Sequence, residues 1–385
     1  MTVLRLAVLA PISGTEFARD AAQMVRGATL AADEIAAEAD LRFPQFDLVP
    51  VDTGSGDIPG VCRAARRVTS DYHLIGALSG FASRSGFEID ILADAGIPYV
   101  LAEHSLEVQE RITRAPMAYV ATWGLMPSYD LYGTAPAPLL ERISGEYLAR
   151  PGRRLFIVSG TSRYSITCAE RIATAFVIRG WDVVGGFRSD VELASDADWS
   201  RVVNMVGESG ADVLISTDYP PHRAAALAVA FAAARLPCLL MIQYGPKYLE
   251  FKQAAGPAAN GVLYNVLGGP IAALPATQAI VASFRAQYGE EPNRYAIDCY
   301  QAVRIFAAAV LRGASPTNRE ELGRAIGDVS LHGAEGQIVF DPETHLARAG
   351  DEFIPMQWYQ VAPDGDICLS PPSLAFGSFV RPPWL

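Results

Sequence analysis

Lysine is nearly absent from this chain: of its 31 basic residues only Lys247 and Lys252 are lysines, the rest being arginine. A formal net charge of −11 and a pI near 5.0 leave no basic surplus. That balance argues against nucleic acid and anionic membrane surfaces as partners, since both reward clustered Lys and Arg. Long apolar runs are missing as well, and none approaches the roughly 20 residues that would span a bilayer, so direct membrane insertion is not expected. Cysteine is sparse. Cys62, Cys168, Cys238, Cys299 and Cys368 lie far apart, are odd in number and contain no C-x-x-C pair, which suggests neither a disulfide framework nor a zinc site but buried small hydrophobes. The histidines at 73, 104, 222, 332 and 345 show no ligand spacing. H-E-x-x-H, G-x-S-x-G and the P-loop are all absent, so no catalytic residue, cofactor or metal is expected and the chain does not read as an enzyme.

What is present is apolar residue in quantity: half of the 385 residues are hydrophobic, enough for more than one core and about two domains. The stretch from 154 to 187 shows the repeating unit. An apolar run at 155–158 reads as a strand buried on both faces; residues 159–165 are polar, small or aromatic; from Ile166 apolar residues recur at the spacing of one helix face, ending at Gly180, and a strand restarts at Trp181. Strand, loop, helix and strand make a right-handed crossover, which places Tyr164 outside the carboxyl end of a strand, where open α/β sheets bind ligands. Covering a helix end is the plain alternative for that side chain.

The same alternation runs through the chain. Strands are expected at 4–9, 46–51, 73–78 and 97–101, with helices at 18–38, 60–71 and 85–95 between them. The residues DTGSGDIPG after the second strand have Gly54 and Gly56 followed by Gly60, the wrong spacing for a dinucleotide fingerprint, and read as a helix-leading turn. A strand at 117–123 leaves this pattern, followed by a helix at 133–149. A second set has strands at 181–187, 213–216 and 239–243 and helices at 199–208 and 222–235, with a tyrosine in each loop GTSRYS, TDYPP and QYGPKY. A second crossing strand is expected at 261–266, helices at 277–288, 294–313 and 319–328, a third crossing strand at 336–340, and a last strand at 355–361 before a proline-rich tail. The amino end has one positive charge and an apolar run of about seven residues, short for a secretory leader. It reads as the first strand, so the chain is either cytosolic or a form from which an export signal has been removed.

The residues LAVLAPISG, RGATLAADEI, LIGALSG, AGIPYVLAEHS, FIVSGTSRYS, DWSRVVNMVGESGADVLIS and EGQIVFDPETH, in that order, resemble the type I periplasmic binding-protein family, in the branch of leucine/isoleucine/valine and amide or urea receptors. The resemblance covers nearly the whole chain. It implies an α/β fold of two Rossmann-like lobes with parallel sheets joined by a three-strand hinge, with 1–121 and 267–335 in the N-terminal lobe and 122–266 and 336–385 in the C-terminal lobe.

The resemblance also implies a small-molecule ligand held between the lobes. The loop 78–83 matches the one that gives a serine and backbone amides to a ligand carboxylate; the serine position falls on Gly80, with Ser79 one residue earlier and Phe81 after. The loop 102–105 matches the one giving a backbone carbonyl and a hydroxyl, through Ala102 and Ser105; His104 within it is a candidate contact that also reads as a surface or capped histidine. Tyr164 matches the family's stacking tyrosine and Tyr219 a further aromatic, with Phe17 and Tyr244 able to enclose the ligand. Where amino-acid receptors place an acid to balance the ligand's ammonium, this chain has Gln243 and Tyr244. Either Asp218 or Glu103 substitutes, or the ligand is neutral or purely anionic. The implied role is the periplasmic solute-binding receptor of an ABC importer, partnered by permease subunits. The alternative is a cytosolic ligand sensor of the amidase-operon regulator type, controlling a partner protein.

Overall fold

The computed structural model describes residues 3–14, 17–38, 42–82, 86–148, 152–189, 196–371, 375 and 377–385. The chain opens with β1 (Val3–Ala10), α1 (Ala18–Ala36), β2 (Gln45–Asp52), α2 (Ile58–Ser70), β3 (Leu74–Ser79), α3 (Glu88–Asp94), β4 (Tyr99–Leu101), α4 (Leu106–Arg114) and β5 (Thr122–Gly124). It continues through α5 (Asp130–Thr134), α6 (Pro136–Tyr147), β6 (Arg154–Ser159), α7 (Arg163–Ile178), β7 (Asp182–Arg188), α8 (Asp196–Ser209), β8 (Val213–Ser216), α9 (Pro221–Ala234), β9 (Leu239–Ile242), α10 (Leu249–Ala255) and β10 (Leu263–Leu267). Next come α11 (Pro275–Tyr288), α12 (Arg294–Leu311), α13 (Arg319–Gly327), β11 (Ser330–Gly333) and β12 (Gly336–Val339), and the chain closes with β13 (Met356–Gln360) and β14 (Ile367–Ser370). Two units result: Met1–Ser128 with Gly268–Pro355, and Tyr129–Leu267 with Met356–Leu385.

The first unit is a parallel five-stranded sheet in the order β2-β1-β3-β4-β5. Its central strands are apolar throughout because helices cover both faces: β3 is buried at all six positions. Close packing of α1 on α12 rests on Gly27, where a Cβ would stand 1.9 Å from the Ala296 carbonyl oxygen. The Gly54–Gly56 stretch is a turn, as its spacing suggested, with both glycines at positive φ and the Asp57 carboxylate capping α2 by accepting from the Gly60 amide at 2.7 Å. The Asp52 carboxylate accepts the amides of Ile12, Ser13 and Gly54. Although burial acts to raise its pKa, those hydrogen bonds hold it below the usual carboxylate value.

The second unit winds its first five strands the same way. Its sheet reads β14-β13-β10-β9-β8-β6-β7, so from β7 inward the order is second, first, third, fourth, fifth, all parallel. β13 and β14 add an antiparallel edge. The carboxyl-terminal tail lies over this unit: the Trp384 indole donates to the Cys238 carbonyl at 3.1 Å, and its ring meets Phe231 edge-on at 5.5 Å.

Several elements differ from the sequence reading. The strand expected at 117–123 begins as a 3-10 turn, Pro116–Tyr119, and only Thr122–Gly124 pairs in the sheet. Pro116 fixes φ and lacks a ladder donor, and Met117 stands 83 % exposed, so the apolar run MAYVATW is not a buried strand along its length. The third crossing strand expected at 336–340 is one arm of a hairpin: β12 pairs antiparallel with β11 across Ala334 and Glu335, with Gly336 at φ +124°. Residues beyond it stay with the first unit through bridges from Phe340 to Ala347 and from Gly124 to Leu346. The units therefore divide at 128/129, 267/268 and 355/356, where the sequence reading had 121/122, 266/267 and 335/336. Helices α4, α5 and α10 and strands β11 and β14 were not anticipated. Ser83, Ser85 and the Thr15–Glu16 part of the first loop lie outside the described residues.

Candidate functional site

In a sheet wound 2-1-3-4-5, the connections after strands one and three leave in opposite directions, opening a crevice at the carboxyl ends of those strands. In the second unit these are the segments after β6 and β8. Ser162 caps α7, its hydroxyl accepting from the Ser165 amide at 3.2 Å. The Ser165 hydroxyl in turn accepts from the Gly160 amide at 2.7 Å and donates to the Thr217 carbonyl at 3.0 Å. The two segments are thus tied together beneath Tyr164 and Tyr219, whose ring centroids stand 5.7 Å apart, nearly edge to face.

Tyr164 occupies the first turn of α7 rather than the preceding loop, and it is the hub of five tyrosines. Besides Tyr219 it meets Tyr129 at 5.3 Å, Tyr132 at 6.1 Å and Tyr244 at 6.1 Å, while Tyr219 and Tyr244 lie 4.7 Å apart. The Tyr164 phenol donates to Gln243 Oε1 at 3.1 Å, and Gln243 Nε2 donates to the Tyr132 carbonyl and to Cys168 Sγ at 3.1 and 2.9 Å. Gln243 is fully buried and locks the centre of the cluster. Burial above all holds the phenols of Tyr164 and Tyr244 far above their ordinary pKa, so they stay neutral donors. Tyr129 and Tyr132 escaped the sequence reading because α5, with five residues, is too short to show a helical period; the repeated tyrosine in SYDLYG was the available signal.

Asp218 does not offer the acid that the sequence reading sought. Its Oδ2 accepts from Arg223 Nε at 2.8 Å and from the Ser189 hydroxyl at 2.7 Å, all three side chains being buried. The guanidinium already balances the carboxylate. A Cβ on Gly160 would stand 2.8 Å from its Oδ1, so glycine is required there.

In the first unit, the equivalent crevice lies after β1 and β3. Phe17 and Phe81 meet there at 5.4 Å, and Phe81 meets Tyr295 at 6.2 Å. The Ser79 hydroxyl is turned into the sheet, donating to the Leu9 carbonyl at 2.9 Å. Gly80 is packed hard: an added Cβ would come within 3.1–3.3 Å of Tyr295, Met24 and Cys299. Ala102 is buried, with its amide on the Ser79 carbonyl, and Ser105 caps α4, accepting from the Val108 amide at 3.3 Å.

His104 is 4 % exposed and packs against Gly124. Burial lowers its pKa to about 4, so the ring is neutral at pH 7. Beside it the start of α12 brings a charged group that sequence reading missed. Arg294 Nε stands 3.3 Å from Asp298 Oδ2, Glu335 accepts the Gly269 amide at 2.8 Å, and Glu103 adds a further negative field at the guanidinium. Asp298 is pushed well above the carboxylate range by burial and then by Glu335. Glu103 therefore faces a resident cation.

A family model described as periplasmic binding protein matches residues 3–365. The chain belongs to the periplasmic binding protein family. Among solved structures, a protein of Silicibacter pomeroyi described as a branched-chain amino acid ABC transporter superposes with a TM-score of 0.89 at 20 % identity, covering 100 % of both chains. A substrate-binding protein of Desulfitobacterium hafniense in complex with Leu gives 0.73 at 17 % identity, over 96 % of this chain and 100 % of that one. The solute-binding protein RPA0668 of R. palustris, in complex with benzoate, gives 0.68 at 17 % identity over 96 % of each. No curated protein sequence matches. As periplasmic binding proteins do, this one carries the type I fold expected from its sequence, and among the described residues no helix is long and apolar enough to cross a membrane.

Proposed function

We propose that this periplasmic binding protein is the solute receptor of an ABC importer for a small ligand without an ammonium group: a carboxamide or a carboxylate carrying a flat or branched apolar body. In the second unit the ligand is held by Tyr164, Tyr219 and Tyr244, with the Phe17 and Phe81 region, Ala102 and His104 as the candidate contacts of the first unit, and it is released chemically unchanged to permease subunits.

One observation carries this reading. Among the described residues, Tyr164 and Gln243 bond only neutral partners and Asp218 is paired with Arg223; the family resemblance implies a carboxylate at the Gln243 position in the amino-acid receptors. Leaving a buried ammonium there without a counter-charge costs several kcal/mol, more than a micromolar receptor with about −8 kcal/mol in hand can lose. The tyrosines suit the alternative, since their rings present apolar faces and the phenols of Tyr219 and Tyr244 carry O–H donors. The benzoate and leucine complexes of its structural relatives bracket the two choices, and the missing acid favours the first. A thermal-shift screen of amino acids, amides, ureas and aromatic and aliphatic acids tests it, followed by recovery of the ligand after long incubation. Stabilisation by α-amino acids alone would overturn the ligand class, and chemical turnover would overturn the receptor role.

A further inference from the structure

Asn265 is a buried polar side chain of the second unit. It sits in the middle of β10, is fully buried, and neither its Oδ1 nor its Nδ2 has a hydrogen-bond partner. An amide buried with both ends unmet is costly, and the polar groups of its neighbours Gln243 and Tyr132 do find partners. Gln243 makes three bonds, and the Tyr132 hydroxyl accepts from the Leu267 amide at 3.0 Å.

Its direction follows from the strand's period of two. Leu263 and Leu267 belong to the apolar cluster that contains Tyr132 and packs Tyr164 and Tyr244, whereas Tyr264 belongs to the cluster on the other face. Asn265 therefore faces the tyrosines. Along the sheet, Leu263 pairs in parallel with Met241, and two residues further on, Asn265 in β10 comes level with Gln243, the first residue past β9. β10 also packs against α5, which carries Tyr132, and against the 3-10 turn that follows Tyr244.

We propose that Asn265 is a specificity-determining contact at the floor of this site, reading a ligand group that both donates and accepts, as a primary carboxamide does. The inference rests on the receptor reading above and sharpens its ligand class. An amide on the ligand would accept from Nδ2 and donate to Oδ1, meeting both orphaned atoms. A carboxylate would meet Nδ2 and set an acceptor against Oδ1. In the proposal, Tyr132 on the five-residue α5 and Tyr244 just before a three-residue turn move aside to admit the ligand.

The test is calorimetric titration of the wild-type protein and of Asn265→Leu with benzamide against benzoate and isovaleramide against isovalerate. The wild-type protein is expected to favour at least one amide over its matching acid. Asn265→Leu is expected to lose that amide by roughly tenfold, the size of one hydrogen bond with its unmet partner, while its affinity for the acid moves little. The variant should also melt higher without ligand, since it no longer buries an unmet amide. Unchanged amide affinity, an equal fall for amide and acid, or a lower melting temperature with binding intact would overturn the proposal, the last result marking Asn265 as the holder of a buried water. Wild-type binding of the acids alone would overturn it too while sustaining the receptor reading. Asn265→Ser, titrated in the same way, gives the answer if the leucine variant does not fold.

Discussion

The two units wind their strands in the same 2-1-3-4-5 order and set an aromatic pair at the same place, Phe17 with Phe81 in one and Tyr164 with Tyr219 in the other. What surrounds each pair differs. In the first unit the hydroxyls near the crevice are spent on the fold: Ser79 on a neighbouring strand and Ser105 on a helix cap, with phenylalanine and glycine between. In the second unit the rings themselves carry hydroxyls, that of Tyr164 held neutral by burial and bonded to a buried glutamine. The winding places loops at the carboxyl ends of the strands in both units; under the proposed reading, the hydrogen-bonding side chains of the second unit discriminate between ligands.

The comparison predicts unequal consequences for mutation. The largest effect is expected at the buried ion pair under the second crevice. Arg223→Leu leaves Asp218 charged and buried with only Ser189, and should cost about 3–5 kcal/mol of stability by urea denaturation; a loss below about 1 kcal/mol, the worth of an exposed pair, would show that the pair is solvated.

Next comes the first unit's response to acid. His104 is depressed to about 4 from an ordinary 6.5, so its contribution is fully present above pH 6.5 and is lost as pH falls toward 4, up to roughly 3 kcal/mol at about 1.4 kcal/mol per unit. Stability of the wild-type protein relative to His104→Gln, followed from pH 7 to 4, should fall through that window. A constant difference would mean that the imidazole is already hydrated.

Smaller again is the effect on binding at Tyr164. Tyr164→Phe keeps the ring and removes the phenol, and should weaken the best ligand of the screen by about tenfold, whereas Phe81→Tyr in the first unit should change affinity less. Equal effects on the two sides would break the asymmetry.

Much of this organisation was legible in the sequence. The central strands announced themselves as apolar runs such as LIGALS and VLIS, since strands covered on both faces need no polar alternation. Tyr164, Tyr219 and Tyr244 were singled out because each follows such a run, and the fold brings their rings together. Short apolar runs without that context misled: MAYVATW contains a proline-led turn, and EGQIVF is half of a hairpin, because local pattern does not say which partner a strand will find. The commitment of Asp218 to Arg223, the burial of His104 and the isolation of Asn265 are tertiary facts. No spacing in the chain encodes them.

The central claim is that Gln243, in place of an acid, shapes the receptor for a ligand without an ammonium group. Its most direct test is titration of the wild-type protein and of Gln243→Glu with leucine and with isovaleramide. The account predicts that the wild-type protein binds isovaleramide and not leucine, and that Gln243→Glu shifts preference toward leucine by about tenfold or more, the yield of one new charge-assisted contact. Tight binding of leucine by the wild-type protein, undiminished or lost in Gln243→Glu, would contradict it.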